Sequence, residues 1–588
     1  MKAILAKANY WARSKDFDSE TNREIQRLLD QKSEKELIDR FYKDLAFGTG
    51  GLRGIIGAGS ARINIYNIRK ATSALAIHLN QTYLKTKIKV AISFDSRRYS
   101  KEFAWGSAEI LSAHNIQVFI TENMRPTPML SFMVRKYSCH AGICITASHN
   151  PPNYNGYKIY WKDGGQLVPP HDKNIIEIYN KISDYSQLKK IDASDACKKG
   201  MIKTVGSELD EDYFSQVLDL SFYKKRAKKI KIIYTPLHGT GITAVPTILK
   251  SSGYDIHTLR EQSTTDGSFS TVKSPNPEDP ESLKLAEDYG DVHQGDLVLA
   301  TDPDADRFSI SQKVGRTWHR FDGNQLICLL THFILSSLKE RKKDLSQGII
   351  LKTIVTTELL ESIARSYNVT CENTLTGFKW IGEKIEQYES GQRKPYKSFI
   401  CGGEESYGFL VGQFVRDKDA MISCLLASEM VNFYRDKNIN LRDVLDKLYQ
   451  KHGYYLEKLN TFILPGKDGA DNINEIMCKL RDETPDEVGG LKVTKCLDFL
   501  NTARSKDIKD QYGPLPLANV IQLFLGEGTK LTIRPSGTEP KLKIYFSLKG
   551  DSFYSREEKL SVIKDKTQKK YQSIKENFQT YIMNLKKS

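Results

Sequence analysis

Three stretches of this chain share one design, and that recurrence constrains the fold more than any other feature. "KVAISFDSRRYS" (89–100), "KIKIIYTPLHGTG" (229–241) and "QGIILKTIVTT" (347–357) each open on a β-branched apolar run. Each run enters a polar or Gly-rich turn and then a helical pattern. Strands that alternate with helices predict βαβ units and mainly parallel sheets. Three such openings, about a domain apart, predict three similar α/β domains. The end of the chain differs. After "YYLEKLNTFILPGKDGADN" comes a helical stretch, then two alternating strands, "TKLTIRPS" and "PKLKIYFSL", around a turn. The final "REEKLSVIKDKTQKKYQSIKENFQTYIMNL" has the pattern of an amphipathic helix. That composition predicts a smaller α+β domain. Expected domains are 1–205, 206–325, 326–455 and 456–588.

Length agrees with this division, because 588 residues at about 100–200 per domain give about three to five domains. No window approaches the roughly 18 consecutive apolar residues of a membrane span. The beginning, "MKAILAKANYWARSKDFDSE", lacks the apolar core and cleavage site of a signal peptide. The nine cysteines are scattered singly, without CxxC or Cys/His ligand spacing, which argues against zinc and disulfide frameworks. A cytoplasmic protein is expected. The net charge of +15 is spread over short basic runs, "KKRAKK", "KERKK" and "KDKTQKK", which lack interleaved aromatics. They read as solvated faces, and no nucleic-acid or membrane partner is expected.

Five stretches carry chemistry. "GDLVLATDPDADRFSIS" sets Asp302, Asp304 and Asp306 just after an apolar strand. Carboxylates at alternate positions converge on one cation when the backbone curls, and hard oxygen ligands favour Mg²⁺ or Ca²⁺. An EF-hand is excluded, because its sixth and twelfth loop positions are Arg307 and Lys313. "CITASHNPPNYNGYK" places Ser148 and His149 at a strand end, with Lys158 ten residues beyond the serine. Pro151, Pro152 and Gly156 oppose helix and favour a fixed loop. A serine hydroxyl needs a base or a metal to become a nucleophile. No GxSxG elbow is present, which argues against an α/β-hydrolase triad.

"LTIRPSGTEPKLKIYF" offers Arg534, Ser536, Gly537 and Thr538 as a compact oxyanion cradle. "ICGGEESYGFLVG" sets Glu404 and Ser406 on a turn suited to sugar hydroxyls. "AFGTGGLRGIIG" is Gly-dense around Arg53, lacks GxGxxG spacing, and suits contact with phosphate.

Taken together and in this order, "FGTGGLRG", "TASHNPP", "DPDADR", "GFKWIG", "GEES" and "RPSGTEP" resemble the α-D-phosphohexomutase family, the phosphoglucomutases and phosphomannomutases. The resemblance runs from about residue 45 to 550, and the Gly-rich loop and "GFKWIG" resemble the phosphoglucomutase-2-like and phosphopentomutase branch. It implies four domains around a central cleft, three of similar α/β topology. It implies that Ser148 carries a phosphoryl group, and that Asp302, Asp304 and Asp306 hold one Mg²⁺ per chain together with a phosphoserine oxygen. Arg307 and Lys379 match contacts to the sugar phosphate, Glu404 and Ser406 the readers of sugar hydroxyls, and Arg534, Ser536, Gly537 and Thr538 the distal phosphate clamp. Arg53, His149 and Lys158 match polar residues around the transfer site, with the general base left open between His149 and Lys158. Lys352 matches a further cleft position more loosely.

The implied reaction interconverts glucose 1-phosphate and glucose 6-phosphate, with glucose 1,6-bisphosphate as intermediate and activator. Pentose or mannose phosphates are the alternative substrates. A phosphosugar is the expected partner, and the chain is expected to be a monomer or homodimer. A silent scaffold is disfavoured, because Ser148 and all three metal aspartates are present.

Overall fold

The structure, a computed structural model, describes residues 1–45, 51–464, 466–501, 505–526, 528–536, 541–551 and 559–585. Its strands fall into four sheets. The first contains β1 (Gly51–Ile55), β2 (Lys89–Phe94), β3 (Gln117–Thr121), β4 (Ala141–Ile145), β5 (Tyr154–Trp161) and β6 (Ile202–Val205), in the order β1-β5-β4-β2-β3-β6. Strands β4, β2, β3 and β6 run parallel, while β5 lies antiparallel between β4 and β1. The second contains β7 (Lys231–Thr235), β8 (Asp255–Thr258), β9 (Leu297–Thr301), β10 (Phe308–Val314) and β11 (Thr317–Arg320), in the order β11-β10-β9-β7-β8. Its core β9-β7-β8 is parallel, and β10 again turns back antiparallel.

The third sheet has β12 (Gly348–Thr353), β13 (Thr370–Thr374), β14 (Ser398–Glu404) and β15 (Gly408–Val411), in the order β13-β12-β14-β15, with β12 parallel to β13 and β14. The fourth has β16 (Tyr455–Ile463), β17 (Glu487–Val488), β18 (Leu491–Asp498), β19 (Ile521–Leu525), β20 (Thr529–Pro535) and β21 (Lys541–Lys549), in the order β16-β21-β20-β19-β18-β17, antiparallel throughout. The three strand openings that the sequence singles out become β2, β7 and β12. Three mixed sheets followed by an antiparallel one agree with an α/β protein carrying a C-terminal α+β part.

The composition of the inner strands explains their place. "AGICI" in β4, "LVLAT" in β9 and "GIILKT" in β12 are buried along their whole length. A strand covered on both faces must be apolar at consecutive positions, so these runs do not alternate. Helices Ser100–Ala113 and Thr127–Lys136 supply cover in the first sheet, both packing on β2 and β4.

The chain divides into two compact units. One is 1–320 with 382–387 and 408–432; the other is 321–381, 388–407 and 433–588. The first unit begins with three helices that stand apart from the α/β pattern expected over 1–205: Lys2–Arg13, Ser19–Asp30 and Glu34–Phe41. Trp11 stacks on Phe17 at 4.1 Å, and both meet Tyr66 and Tyr185 edge-on, which closes a small separate core. In the second unit, Ile354, Val355 and Leu375 pack with Leu497, Phe499, Tyr512 and Tyr545, so the third and fourth sheets share an apolar cluster.

Candidate active site

In the first unit the chemistry gathers at the C-terminal ends of β4 and β9, where open parallel sheets bind ligands. Beyond β4 the chain passes through Thr146 and Ala147 to Ser148, which is 2 % exposed and has a left-handed φ of 52°. Gly156 makes this turn possible. A Cβ there would lie 2.5 Å from the Thr146 carbonyl oxygen and 2.8 Å from that of Leu52. Beyond β9 the chain curls through Asp302–Arg307, with Ala305 at φ 49° and its N–H donating to the Asp302 carbonyl. The curl turns the N–H groups of Asp306 and Arg307 onto Asp302 Oδ1, at 3.1 and 3.0 Å. Gly239 allows the neighbouring loop to close on it, since a Cβ there would sit 2.3 Å from Pro303 Cα.

These two loops meet. Ser148 Oγ donates to Asp302 Oδ2 at 2.6 Å and lies 3.2 Å from His149 Nδ1. Lys158, on β5, donates to Asp304 Oδ2 at 2.6 Å and to Asp306 Oδ2 at 3.0 Å. Arg53, on β1 opposite Gly156, donates to Asn150 Oδ1 at 2.9 Å. Arg307 directs its guanidinium to Glu278. Thus Arg53, Ser148, His149, Lys158 and the three aspartates, read from separate stretches, stand in one place.

The electrostatics follow from burial and partners. Burial pushes Asp302 up, and the charges of Asp304 and Asp306 add to the rise. Burial also acts to raise Asp306, but Lys158, Lys418 and Arg307 outweigh it and hold that carboxyl below its ordinary range. Lys158 is the converse. Burial opposes its charge, and Asp304, Asp306 and Asp417 more than reverse this, so its pKa is raised. His149 is lowered well below the ordinary imidazole value by burial, then by Arg307 and Arg53.

Asp302, Asp304 and Asp306 each offer a carboxylate oxygen within 4.8 Å of the others. The Oδ1 atoms of Asp304 and Asp306 are buried and accept no hydrogen bond. Buried, hard anionic oxygens that no hydrogen bond occupies fit a divalent cation such as Mg²⁺.

Two residues of this cluster escaped the sequence reading. Thr127 Oγ1 donates to Asp304 Oδ2 at 2.8 Å. Lys418 Nζ lies 3.2 Å from Asp306 Oδ2 and 3.0 Å from Asp417 Oδ1. Asp417 in turn accepts from Tyr160 at 2.6 Å and Gln166 at 2.8 Å. Lys418 sits in "RDKDA", whose four charged residues are all nearly inaccessible in the fold, a burial the local pattern does not announce.

The second unit holds the remaining predicted residues. Gly377 N–H donates to Glu404 Oε1 at 2.8 Å, which joins "GFKWIG" to "GEES". Lys379 is 9 % exposed and its ammonium lies 4.6 Å from the Trp380 ring centre. Ser406 is half-buried in the turn after β14. Arg534, at the end of β20, pairs in register with Lys543 and lies over Tyr545 at 6.0 Å. Burial and Glu404 raise Glu405, against the lowering influence of Arg534 and Lys543. Ser536 N–H donates to the Lys541 carbonyl at 2.7 Å, while Gly537 and Thr538 lie outside the described residues. Lys352 is fully buried, 3.0 Å from Glu358 Oε2, and Glu358 Oε1 pairs with Lys530.

Comparison with known proteins agrees with this arrangement. Residues 44–186, 211–315 and 322–452 match, in turn, alpha/beta/alpha domains I, II and III of phosphoglucomutase/phosphomannomutase. A phosphoglucomutase of Staphylococcus epidermidis is 35% identical over 90% of this chain and 95% of its own. One of Staphylococcus saprophyticus is 36% identical over 89% and 94%. Among solved structures, parafusin from Paramecium superposes with a TM-score of 0.65 at 16% identity, over 93% of this chain and 95% of that one. The chain belongs to the phosphoglucomutase/phosphomannomutase family of isomerases, the α-D-phosphohexomutases. Among the described residues, no helix is long and apolar enough to cross a membrane.

Proposed function

We propose that the protein interconverts α-D-glucose 1-phosphate and glucose 6-phosphate through a phosphoryl group carried on Ser148. The observation that carries this reading is the 2.6 Å approach of Ser148 Oγ to Asp302 inside a buried trio of carboxylates suited to a cation. The name phosphoglucomutase carried by the Staphylococcus relatives supports reading glucose phosphates, rather than pentose or mannose phosphates, as the substrate.

Phosphoserine 148 gives its phosphoryl group to a free hydroxyl of the sugar monophosphate. The bond from phosphorus to Ser148 Oγ breaks as a bond to the sugar oxygen forms, and the product is glucose 1,6-bisphosphate. The hydroxyl proton leaves to a base beside Ser148. Two groups stand there: His149, whose Nδ1 lies 3.2 Å from Ser148 Oγ, and Lys158, which can serve as base only after giving up the proton that Asp304 and Asp306 hold on it. After the bisphosphate reorients, its other phosphate returns to Ser148 and the proton to the sugar. Asp302, Asp304, Asp306 and an oxygen at Ser148 would hold Mg²⁺, which when bound offsets charge on the transferring group. Arg53 steadies the serine loop through Asn150. Glu404 and Ser406 read sugar hydroxyls. Lys379, Arg307, Arg534, Ser536, Gly537 and Thr538 bind the phosphate not being transferred. Clamping by charge suits an enzyme that must accept its substrate in two orientations. We assign the domains as 1–205, 206–325, 326–455 and 456–588, and place the reaction in the cytoplasm, in keeping with cysteines scattered singly along the chain without CxxC or Cys/His ligand spacing.

A coupled assay with glucose, mannose and ribose 1-phosphates tests the reading. Turnover should be highest with glucose 1-phosphate and vanish in Ser148→Ala. Undiminished turnover in that variant would falsify the phosphoserine route, whereas a pentose preference would overturn only the sugar assignment.

A further inference from the structure

The loop that carries Ser148 has neither helix nor strand to hold it; Ser274 Oγ donates to the His149 carbonyl at 2.9 Å and Arg53 to Asn150, but one buried side chain takes four of its carbonyls. Arg97 is 3 % exposed and lies three residues beyond the end of β2. Its Nη2 donates to the carbonyl oxygen of Ser148 at 2.6 Å and also to that of Asn150. Its Nη1 donates to the carbonyls of Pro151 at 2.9 Å and Tyr154 at 3.0 Å. The guanidinium is itself positioned. Its plane lies 4.9 Å from the Phe269 ring centre, and its Nε is 3.5 Å from Asp95 Oδ2. Asp95 Oδ1 accepts the Arg97 N–H at 3.0 Å and Ser100 Oγ at 2.7 Å, so the acid grips both the backbone and the side-chain neighbourhood of the arginine.

We propose that Arg97 is the positioning residue of the serine loop: it locks four carbonyls into one arrangement so that Ser148 Oγ is aimed at the carboxylate trio. A guanidinium presents its donors as a rigid planar fork, and a lysine ammonium does not. Ser148 keeps a left-handed φ of 52° without being glycine, a conformation that persists only where the surroundings over-determine it. The local bonds, Ser148 N–H to Thr146 Oγ1 and Asn150 N–H to the Ala147 carbonyl, tie the loop only to itself. Arg97 ties it to β2. The role differs from that of Lys158 or Asp302, because Arg97 touches backbone and no reacting atom.

This inference rests on the phosphoserine reading, and its test separates the two. Arg97→Lys and Arg97→Ala are assayed beside Ser148→Ala, with melting curves and circular dichroism to establish folding. We expect kcat to fall about a hundredfold in both arginine variants while KM stays within about threefold, as a displaced nucleophile requires. Methylguanidinium should recover about tenfold of the loss in Arg97→Ala, because the deleted group leaves a site of its own shape. Folded variants with kcat within about threefold of wild type would overturn the role, as would a loss that methylguanidinium does not recover. Full activity in Ser148→Ala would instead overturn the reading beneath it. Should the arginine variants not fold, hydrogen exchange on the unaltered protein decides: amides of Ser148, Asn150 and Tyr154 exchanging as slowly as β4 support the lock. Exchange as fast as the exposed Lys189 and Lys190 overturns it.

Discussion

A buried carboxylate trio and a half-buried glutamate sit in this molecule, and their surroundings treat them in opposite ways. In the first unit, Asp304 and Asp306 face the ammonium of Lys158, and Asp306 also faces Lys418. In the second unit, Glu457 keeps Oε1 shut off from solvent with no hydrogen-bond partner. Burial raises Glu457 to about 8 against a lowering hydrogen bond from Thr357, and the charges of Asp322 and Glu358 add to the rise against the pull of Lys530. The comparison separates charge kept for use from charge the fold has not paired. Where cations surround the acids, Asp304 and Asp306 stay ionised and able to bind a metal. Where acids face acids, a proton is taken up instead, and the consequence is a pH-dependent stability.

The largest effect expected is in Ser148→Ala, which removes the oxygen that the carboxylate trio serves. Turnover should fall by about 10⁴-fold or more, checked by the coupled assay with the melting temperature unchanged. Next comes the cation. Chelation with EDTA should abolish activity and Mg²⁺ should restore it. Asp304→Asn should lower Mg²⁺ affinity by about tenfold or more, read by titration calorimetry. An Asp304→Asn protein with wild-type metal affinity and rate would break the view that this cluster is kept for metal.

Lys158→Met tests the cationic side of the same cluster. Loss of its charge leaves buried carboxylates unpaired, so kcat should drop about 10²–10³-fold and stability should fall as well. Smaller again is Glu404→Gln, which keeps the shape of the sugar loop and removes a charge. Its kcat/KM for glucose 1-phosphate should fall about tenfold, with discrimination between sugars reduced.

The smallest effect belongs to the half-buried glutamate. Because the Glu457 pKa is raised on folding, its contribution to stability is full below about 4.5 and is lost as pH rises through about 8. Glu457→Gln should therefore be more stable than wild type at pH 8.5 by about 1 kcal/mol, a figure already reduced for the partial exposure of the residue. The gain should vanish at pH 4. A melting temperature in Glu457→Gln that follows wild type across this range would show that the acid is compensated after all.

Much of the chemistry was written locally. Three aspartates at alternate positions after an apolar strand announce oxygen ligands, because a curled backbone brings such residues together without help from elsewhere. The prolines and glycine after Ser148 announce a loop for the same local reason. Continuous apolar runs announce strands covered on both faces, and the change from such runs to "TKLTIRPS" and "PKLKIYFSL" announces an antiparallel sheet at the end of the chain. The N-terminal helices were less legible, since their core is completed by Tyr66 and Tyr185 from far along the chain.

What the sequence determined, then, were the residue types at each strand end and the architecture that presents them. Tertiary structure alone decided which of those ends meet. Ser148 and Asp302 are 154 positions apart, and Lys158 and Asp304 are 146 apart. Nothing in the pattern around "DSRRYS" distinguishes Arg97 from Arg98, yet Arg97 is buried against the serine loop and Arg98 is exposed. Lys418 likewise reads as one charge in a polar run until the fold sets it 3.2 Å from Asp306. Local pattern records what a backbone segment prefers. Ion pairing and burial depend on which distant segment closes the other side, and that is fixed only when the sheets are assembled.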